Sequence, residues 1–171
     1  MESIEIRPVQ NEAEQKALFY QRWLVLRKPL GMIPGTEQDQ YEDDAFHLAA
    51  FYQGNIIGSA RLRQLSEGLG TINYVCILLE FQSQGIGTQL MQKIIEVAQG
   101  KNFKCLRIKA RINAVNFYQK LGFVVEAEEF ELLGIPHRWM TLNLEDFSAS
   151  KLRYSKKEQK SSKSLWLQTE I

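Results

Sequence analysis

Between Thr71 and Gly100 a strand-like run, a turn with two glycines and an amphipathic helix follow one another without a break, and this order constrains the chain more than any other feature. Tyr74-Val75-Cys76-Ile77-Leu78-Leu79 is almost wholly apolar, as expected of a central strand covered on both faces. The turn is Gln82-Ser83-Gln84-Gly85-Ile86-Gly87, and Leu90, Met91, Ile94, Ile95 and Ala98 then share one helical face. The first turn of a helix carries amide N–H groups that have no intrahelical partner and a partial positive charge. Glycines let successive amides converge on one point and keep Cβ atoms out of the way. The run therefore predicts a cradle for a phosphate or pyrophosphate. A nucleoside-triphosphate loop would place a lysine after its last glycine, whereas Gly87 is followed by Thr88. The dinucleotide fingerprint needs a third glycine, and Thr88-Gln89-Leu90 does not supply it. On its own the turn supports an anion held at a helix start.

The remaining pattern places this unit in a mixed α/β sheet with a helix on each side. Ile4-Glu5-Ile6-Arg7-Pro8-Val9 alternates as a first strand. Asn11, with Glu14 three residues on, reads as the cap of a helix running to about Arg27 and ended by Pro29 and Gly31. His47 to Tyr52 and Ile56 to Arg63 read as a hairpin turning at Gly54-Asn55. Cys105 to Ala110 is a strand, Ala114 to Leu121 a short helix closed by Gly122, and Phe123-Val124-Val125 and Arg138 to Leu144 two late strands.

Composition narrows the function classes. Apolar residues make up 44% and charged residues 24%, ordinary for a globular domain. The net charge of +1 conceals a division. Residues 1–147 carry 15 Lys and Arg against 18 Asp and Glu, and residues 148–171 carry 6 against 2. A slightly acidic body argues against nucleic acid as a partner. No apolar run approaches the roughly 20 residues of a membrane span, so no membrane partner is expected. Met1 to Glu5 lacks the basic-then-apolar order of a secretory signal, and the two cysteines, Cys76 and Cys105, read as buried free thiols, so a cytoplasmic setting is expected. The cysteines and two histidines do not make a metal set. One domain over 1–147 and a basic Ser/Lys-rich extension over 148–171 are expected, and Leu165-Trp166-Leu167 in the extension leaves a homodimer open.

A second motif gives the anion site a meaning. Ala114-Val115-Asn116-Phe117-Tyr118-Gln119-Lys120-Leu121-Gly122-Phe123 follows the glycine turn in order and on a helix. Together the two motifs resemble the GNAT superfamily of acetyl-CoA-dependent N-acetyltransferases, over about residues 3–144. Leu26 to Gly31 and Gly134 to Met140 are similar to a bacterial subgroup of small, mostly uncharacterised members.

The resemblance implies the acyl-CoA N-acyltransferase fold, acetyl-CoA as co-substrate and direct attack by an amine on the thioester. It implies that the fourth strand splays from the fifth, with the pantetheine arm in the gap against backbone of Ile77, Leu78 and Leu79. Gln82, Ser83, Gln84, Gly85, Ile86, Gly87 and Thr88 would hold the pyrophosphate, and Phe117 and Tyr118 would border the cofactor. Tyr118 matches the family tyrosine that protonates the leaving thiolate. The pattern departs from the family at two places. The fourth strand offers Asn73, Tyr74 and Cys76 where a glutamate base is common, so a water chain or a residue from elsewhere would have to serve, with His137 the best candidate base and His47 second. A cofactor-contacting amide ahead of the tyrosine helix is here Arg111; Asn113, two residues on, would substitute for it only with a shifted loop, and a cofactor phosphate is the alternative partner of Arg111. The acidic run Glu37, Asp39, Glu42, Asp43, Asp44 reads as a solvated loop, with attraction of a cationic amine as its functional alternative. The acceptor is expected to be an amine of a small molecule or peptide. A non-catalytic acyl-CoA-binding module and a scaffold that has only kept the fold are the competing readings.

Overall fold

The computed structural model describes residues 3–146; the expected extension, with Leu165-Trp166-Leu167, lies outside the described residues. Seven strands form one sheet: β1 (Glu5–Pro8), β2 (Phe46–Tyr52), β3 (Asn55–Ser66), β4 (Leu69–Ile77), β5 (Cys105–Arg111), β6 (Val124–Leu132) and β7 (Ile135–Asn143). Their order across the sheet is β1-β2-β3-β4-β5-β7-β6, antiparallel throughout except for the parallel β4–β5 pair. Helix α1 (Glu12–Leu26) connects β1 to β2, α2 (Ile86–Gly100) makes the β4–β5 crossover, and the short α3 (Val115–Lys120) follows β5 through a single 3-10 turn.

The predicted cap of α1 is present: Asn11 Oδ1 accepts from the Glu14 amide at 2.9 Å. Glu14 in turn accepts from the Gln10 amide at 2.8 Å and from both terminal nitrogens of Arg7. The apolar face read for α2 is buried in full, against Val75, Ile77, Leu106, Ile108 and Ala110 of the sheet. The opposite face of β3 and β4 is covered by α1, through Leu26 on Tyr74 and Cys76 and through Gln21 to Ser59 and Cys76.

The late strands are longer than their sequence suggests. β6 runs on through Glu126 to Glu131, and β7 begins at Ile135 rather than Arg138. An edge strand open to solvent tolerates a run of carboxylates that would exclude it from the sheet centre. The short helix is also shorter than expected, because Ala114 ends the 3-10 turn instead of starting α3. Cys76 is a buried thiol as expected, whereas Cys105 is partly exposed.

Candidate acyl-CoA site

β4 and β5 pair only over Leu69–Thr71 and Cys105–Arg107. Beyond that point β4 continues to Ile77 and β5 to Arg111 without bonding to each other, so the sheet opens as a V between them. The divergence starts next to a bulge. Ser59 opposes Cys76 and Arg61 opposes Asn73, so two residues of β4, Tyr74 and Val75, face the single Ala60 of β3. Tyr74 takes φ +53°, a left-handed conformation that costs an L-residue about 1–2 kcal/mol. The extra residue bends β4 away from β5 and turns Tyr74 and Cys76 toward α1.

At the end of β4 the Leu78 amide donates to Ile57 O of β3 (2.8 Å), and Leu78 O accepts from Phe81 N (2.9 Å). Peptide groups alternate in direction along a strand, so those of Ile77 point into the V. Ile77 O accepts from Gln82 Nε2 at 2.9 Å. Among Ile77, Leu78 and Leu79, the backbone facing the gap is thus that of Ile77, while Leu78 is committed to β3 and to the turn. Gly58 lies opposite Ile77 and has no Cβ because Ile77 Cδ1 occupies that space.

Past a 3-10 turn at Leu79–Phe81 the chain reverses through two left-handed residues, Ser83 (φ +60°) and Gly85 (φ +80°, the cap of α2). The first amide of α2 to bond within the helix is Gln89, to Gly85 O at 3.1 Å. The amides from Gly85 to Thr88 precede it and form the open first turn. Gln84 Nε2 donates to Glu80 O at 3.0 Å and braces the loop. Ser83 and Gln84 are exposed, while Ile86 and Gly87 are buried under the cradle. Open amides at the mouth of a V-shaped gap suit a pyrophosphate followed by a narrow extended arm.

Phe117 and Tyr118 sit on α3, on the β5 side of the V. Tyr118 is fully buried, edge-on to Phe117 (5.0 Å between centroids) and to Phe123 (5.7 Å). Arg111 ends β5 and is in register with His137 of β7, and Asn113 is exposed in the following turn. His137 is fully buried, stacked on Phe130 at 5.7 Å, with Nδ1 2.7 Å from Ile135 O. A carbonyl only accepts, so Nδ1 carries a proton that it donates to Ile135 O.

The acidic loop differs from its solvated reading. Glu37 and Glu42 are buried, and only Asp43 and Asp44 of the run are fully turned to solvent. Glu42 Oε1 accepts from Arg22 Nη1 (2.9 Å) and Arg61 Nη1 (3.1 Å), and both arginines are 0% exposed. His47 belongs to this network and is not placed as a base. Its Nδ1 accepts from Arg22 Nη2 (3.4 Å), and its Nε2–H donates to Glu42 O (2.9 Å). Burial, reinforced by the two arginine charges, keeps the His47 ring neutral and its pKa below the ordinary value. On β4, Asn73 Oδ1 accepts from Arg61, and burial pushes the Tyr74 hydroxyl up to about 12 and the Cys76 thiol up as well. Sequence reasoning missed this network because its partners lie on α1, β3 and the intervening loop, joined only by the fold.

Residues 32–144 match the family model of the acetyltransferase (GNAT) domain. The chain belongs to the GNAT acetyltransferase family. As a member it is an acyltransferase, and the mixed seven-stranded sheet is the acyl-CoA N-acyltransferase fold. It is 30% identical to YjcF, an uncharacterized N-acetyltransferase of Bacillus subtilis (strain 168), over 76% of this chain and 93% of that protein. An acyl-CoA N-acyltransferase from Pseudomonas aeruginosa superposes with TM-score 0.72 at 24% identity, over 82% of this chain and 99% of that one. A GNAT family acetyltransferase from Elizabethkingia anophelis with acetyl-CoA bound gives TM-score 0.59 at 22% identity, over 82% and 97%. Among the described residues no group of His, Cys, Asp or Glu forms a metal site, and no helix is long and apolar enough to cross a membrane.

Proposed function

We propose that the protein moves an acetyl group from acetyl-CoA to the primary amine of a small molecule or peptide, with Tyr118 as general acid. The observation that carries this reading is the V between β4 and β5 opening directly onto the free first turn of α2. Acetyl-CoA supplies an acyl carbon activated by a thiolate leaving group. The amides of Gly85 to Thr88 hold the pyrophosphate at the positive end of α2. The peptide group of Ile77 aligns the pantetheine arm along β4. Phe117 fills the β5 side and helps to exclude water from the gap. Tyr118 gives its phenolic proton to the departing sulfur, and His137 Nε2 takes the proton released by the attacking amine. Arg111, at the end of β5, supplies positive charge for a cofactor phosphate, and Asn113 in the next turn offers an amide to the arm.

Two measurements test the reading. Titration calorimetry with acetyl-CoA is expected to show one site per chain, and absence of binding at millimolar cofactor would overturn the assignment. Thiol release with an amine panel is expected to fall roughly a hundredfold or more in Tyr118→Phe, in line with the usual contribution of a positioned acid, with acetyl-CoA affinity retained. An unchanged rate would remove Tyr118 from the chemistry. His137→Gln is expected to lower the rate and abolish the acidic limb of the pH–rate profile; a limb that persists would remove His137.

A further inference from the structure

Arg63 of β3, Thr71 of β4, Arg107 of β5 and Thr141 of β7 stand in one row across the sheet, at the last rung before β4 and β5 part. Two residues further along β5, Lys109 stands opposite Trp139. On these strands Leu106, Ile108, Ala110, Met140 and Leu142 are buried in the α2 and α3 core. Arg107, Lys109 and Trp139 alternate with them, are only partly buried and therefore point to the other face. α1 covers that face over β3 and β4 but not over β5 and β7. Among the described residues this leaves a partly open floor at the apex of the V.

The charge on this floor is unbalanced. Arg107 lies over the Trp139 ring at 3.9 Å and is paired with Glu126 at 2.9 Å. The described contacts of the other two cations are with rings: Arg63 over Tyr41 at 3.9 Å and the Lys109 ammonium over Trp139 at 5.0 Å. Burial first, and then repulsion from Arg107 and Arg63, lowers the Lys109 pKa, so the three cations feel one another, with Glu126 offsetting Arg107 and Asp39 drawing on Arg63. Asp39, the loop carboxylate on which the Arg63 charge acts, is gripped at both oxygens by Arg61. Asp39 and Glu42 of the acidic loop are thus committed to Arg22 and Arg61, and the floor beside the gap carries Arg63, Arg107 and Lys109 among aromatic rings.

We propose that this floor is the acceptor subsite and that it selects a small amine carrying a carboxylate or a phosphate, held by Arg63 and Lys109 over Trp139. The inference rests on the acetyl-transfer reading. The core fills the opposite face of β5 and β7, so an acceptor reaches the gap from this one. The bulge at Tyr74 is three residues beyond Thr71, a rise of roughly 10 Å at the usual strand spacing. A single amino acid or amino-sugar phosphate covers part of that length and the long Arg63 and Lys109 side chains the rest, so its anion lies toward the apex and its amine points into the V. A tail made only of amine or ammonium groups would meet like charge there.

Thiol release with matched acceptors tests the proposal. One arm compares L-glutamate with L-glutamine α-amide, and the other compares glucosamine 6-phosphate with glucosamine, so the arms separate carboxylate from phosphate as the anion. The anionic member of at least one pair is expected to have a kcat/KM at least tenfold higher. Lys109→Gln and Arg63→Gln are each expected to raise its KM about tenfold without changing the affinity for acetyl-CoA, and Lys109→Arg is expected to keep most of the wild-type value. A preference for the neutral members or for spermidine, an unchanged KM in both variants, or acetyl-CoA binding without turnover of any anionic acceptor overturns the subsite while leaving acetyl transfer intact. Failure to bind acetyl-CoA overturns the reading beneath it.

Discussion

Arg61 grips Asp39 with both terminal nitrogens, Nη1 to Oδ1 at 2.7 Å and Nη2 to Oδ2 at 3.0 Å. This fork ties the loop between α1 and β2 to the middle of β3, beside the bulge that opens the sheet. The same Arg61 shares the Glu42 carboxylate with Arg22. Two guanidinium groups without solvent exposure therefore depend on two carboxylates of one loop.

Glu42→Gln should destabilise the fold by about 3–5 kcal/mol, because it leaves two desolvated cations without their shared counter-charge. Asp39→Asn should cost less, since the Asp39 side chain is 22% exposed and water can enter in its place. Urea unfolding of the two variants checks the ranking; equal losses would show that the network is governed by the loop rather than by the shared carboxylate.

Acid should unfold the protein in two stages. His47 is held neutral, with Nδ1 accepting from Arg22, and a second proton there would face a buried cation. Its folded pKa lies below its unfolded value, so its contribution is complete above the ordinary histidine range near 6.5 and is lost as the pH falls below it. Glu14 behaves likewise at lower pH. Bonds from Arg7 and from the Gln10 amide hold its pKa at about 2 against an ordinary 4.5, so stability is present above 4.5 and lost as the pH falls toward 2. Melting temperatures recorded from pH 7 to 2 should show both stages, with His47→Gln flattening the first and Glu14→Gln the second.

The strand, glycine turn and helix of the proposed cofactor site were legible in the sequence because they are local. An apolar strand, two glycines and a helical stripe lie within thirty residues of chain, and each step follows from neighbouring residues. The proposed acceptor subsite is not local. Arg63, Arg107 and Trp139 are brought together by a register spanning four strands, and a sequence shows no register. Asp39 and Glu42 look solvated in the sequence for the same reason: Arg22 and Arg61, which bind them, are far away in the chain. The acidic run of β6 hides a strand because carboxylates are compatible with an edge only once the edge is known.

The glycines at the two ends of α2 should respond in opposite ways to alanine. Gly85 has φ +80° at the cap, so Gly85→Ala should destabilise by about 1–2 kcal/mol and distort the first-turn amides, weakening acetyl-CoA binding tenfold or more. Gly100 ends the helix with open space where a Cβ would stand, so Gly100→Ala should stabilise by about 0.5–1 kcal/mol and leave binding unchanged. Thermal melts and calorimetry on the pair distinguish a conformational role from a general preference for alanine in helices.

Tyr74 provides the last test, because strain and packing oppose each other there. Its positive φ favours glycine, yet its ring has Arg22 at 4.0 Å and Arg61 at 4.7 Å, both stripped of water. A desolvated cation over an aromatic face is worth about 2 kcal/mol or more, against about 1–2 kcal/mol for the strained backbone. With two such cations the ring should dominate. Tyr74→Phe should unfold within about 1 kcal/mol of wild type, since the face is kept and a hydroxyl with its pKa pushed up to about 12 is not ionised near neutrality. Tyr74→Leu should lose about 2 kcal/mol or more, and Tyr74→Gly should also be destabilised despite its relaxed backbone. A Tyr74→Gly variant more stable than wild type would mean that strain at the bulge outweighs the arginine–ring contacts, and that the opening of β4 from β5 is held against the backbone's own preference.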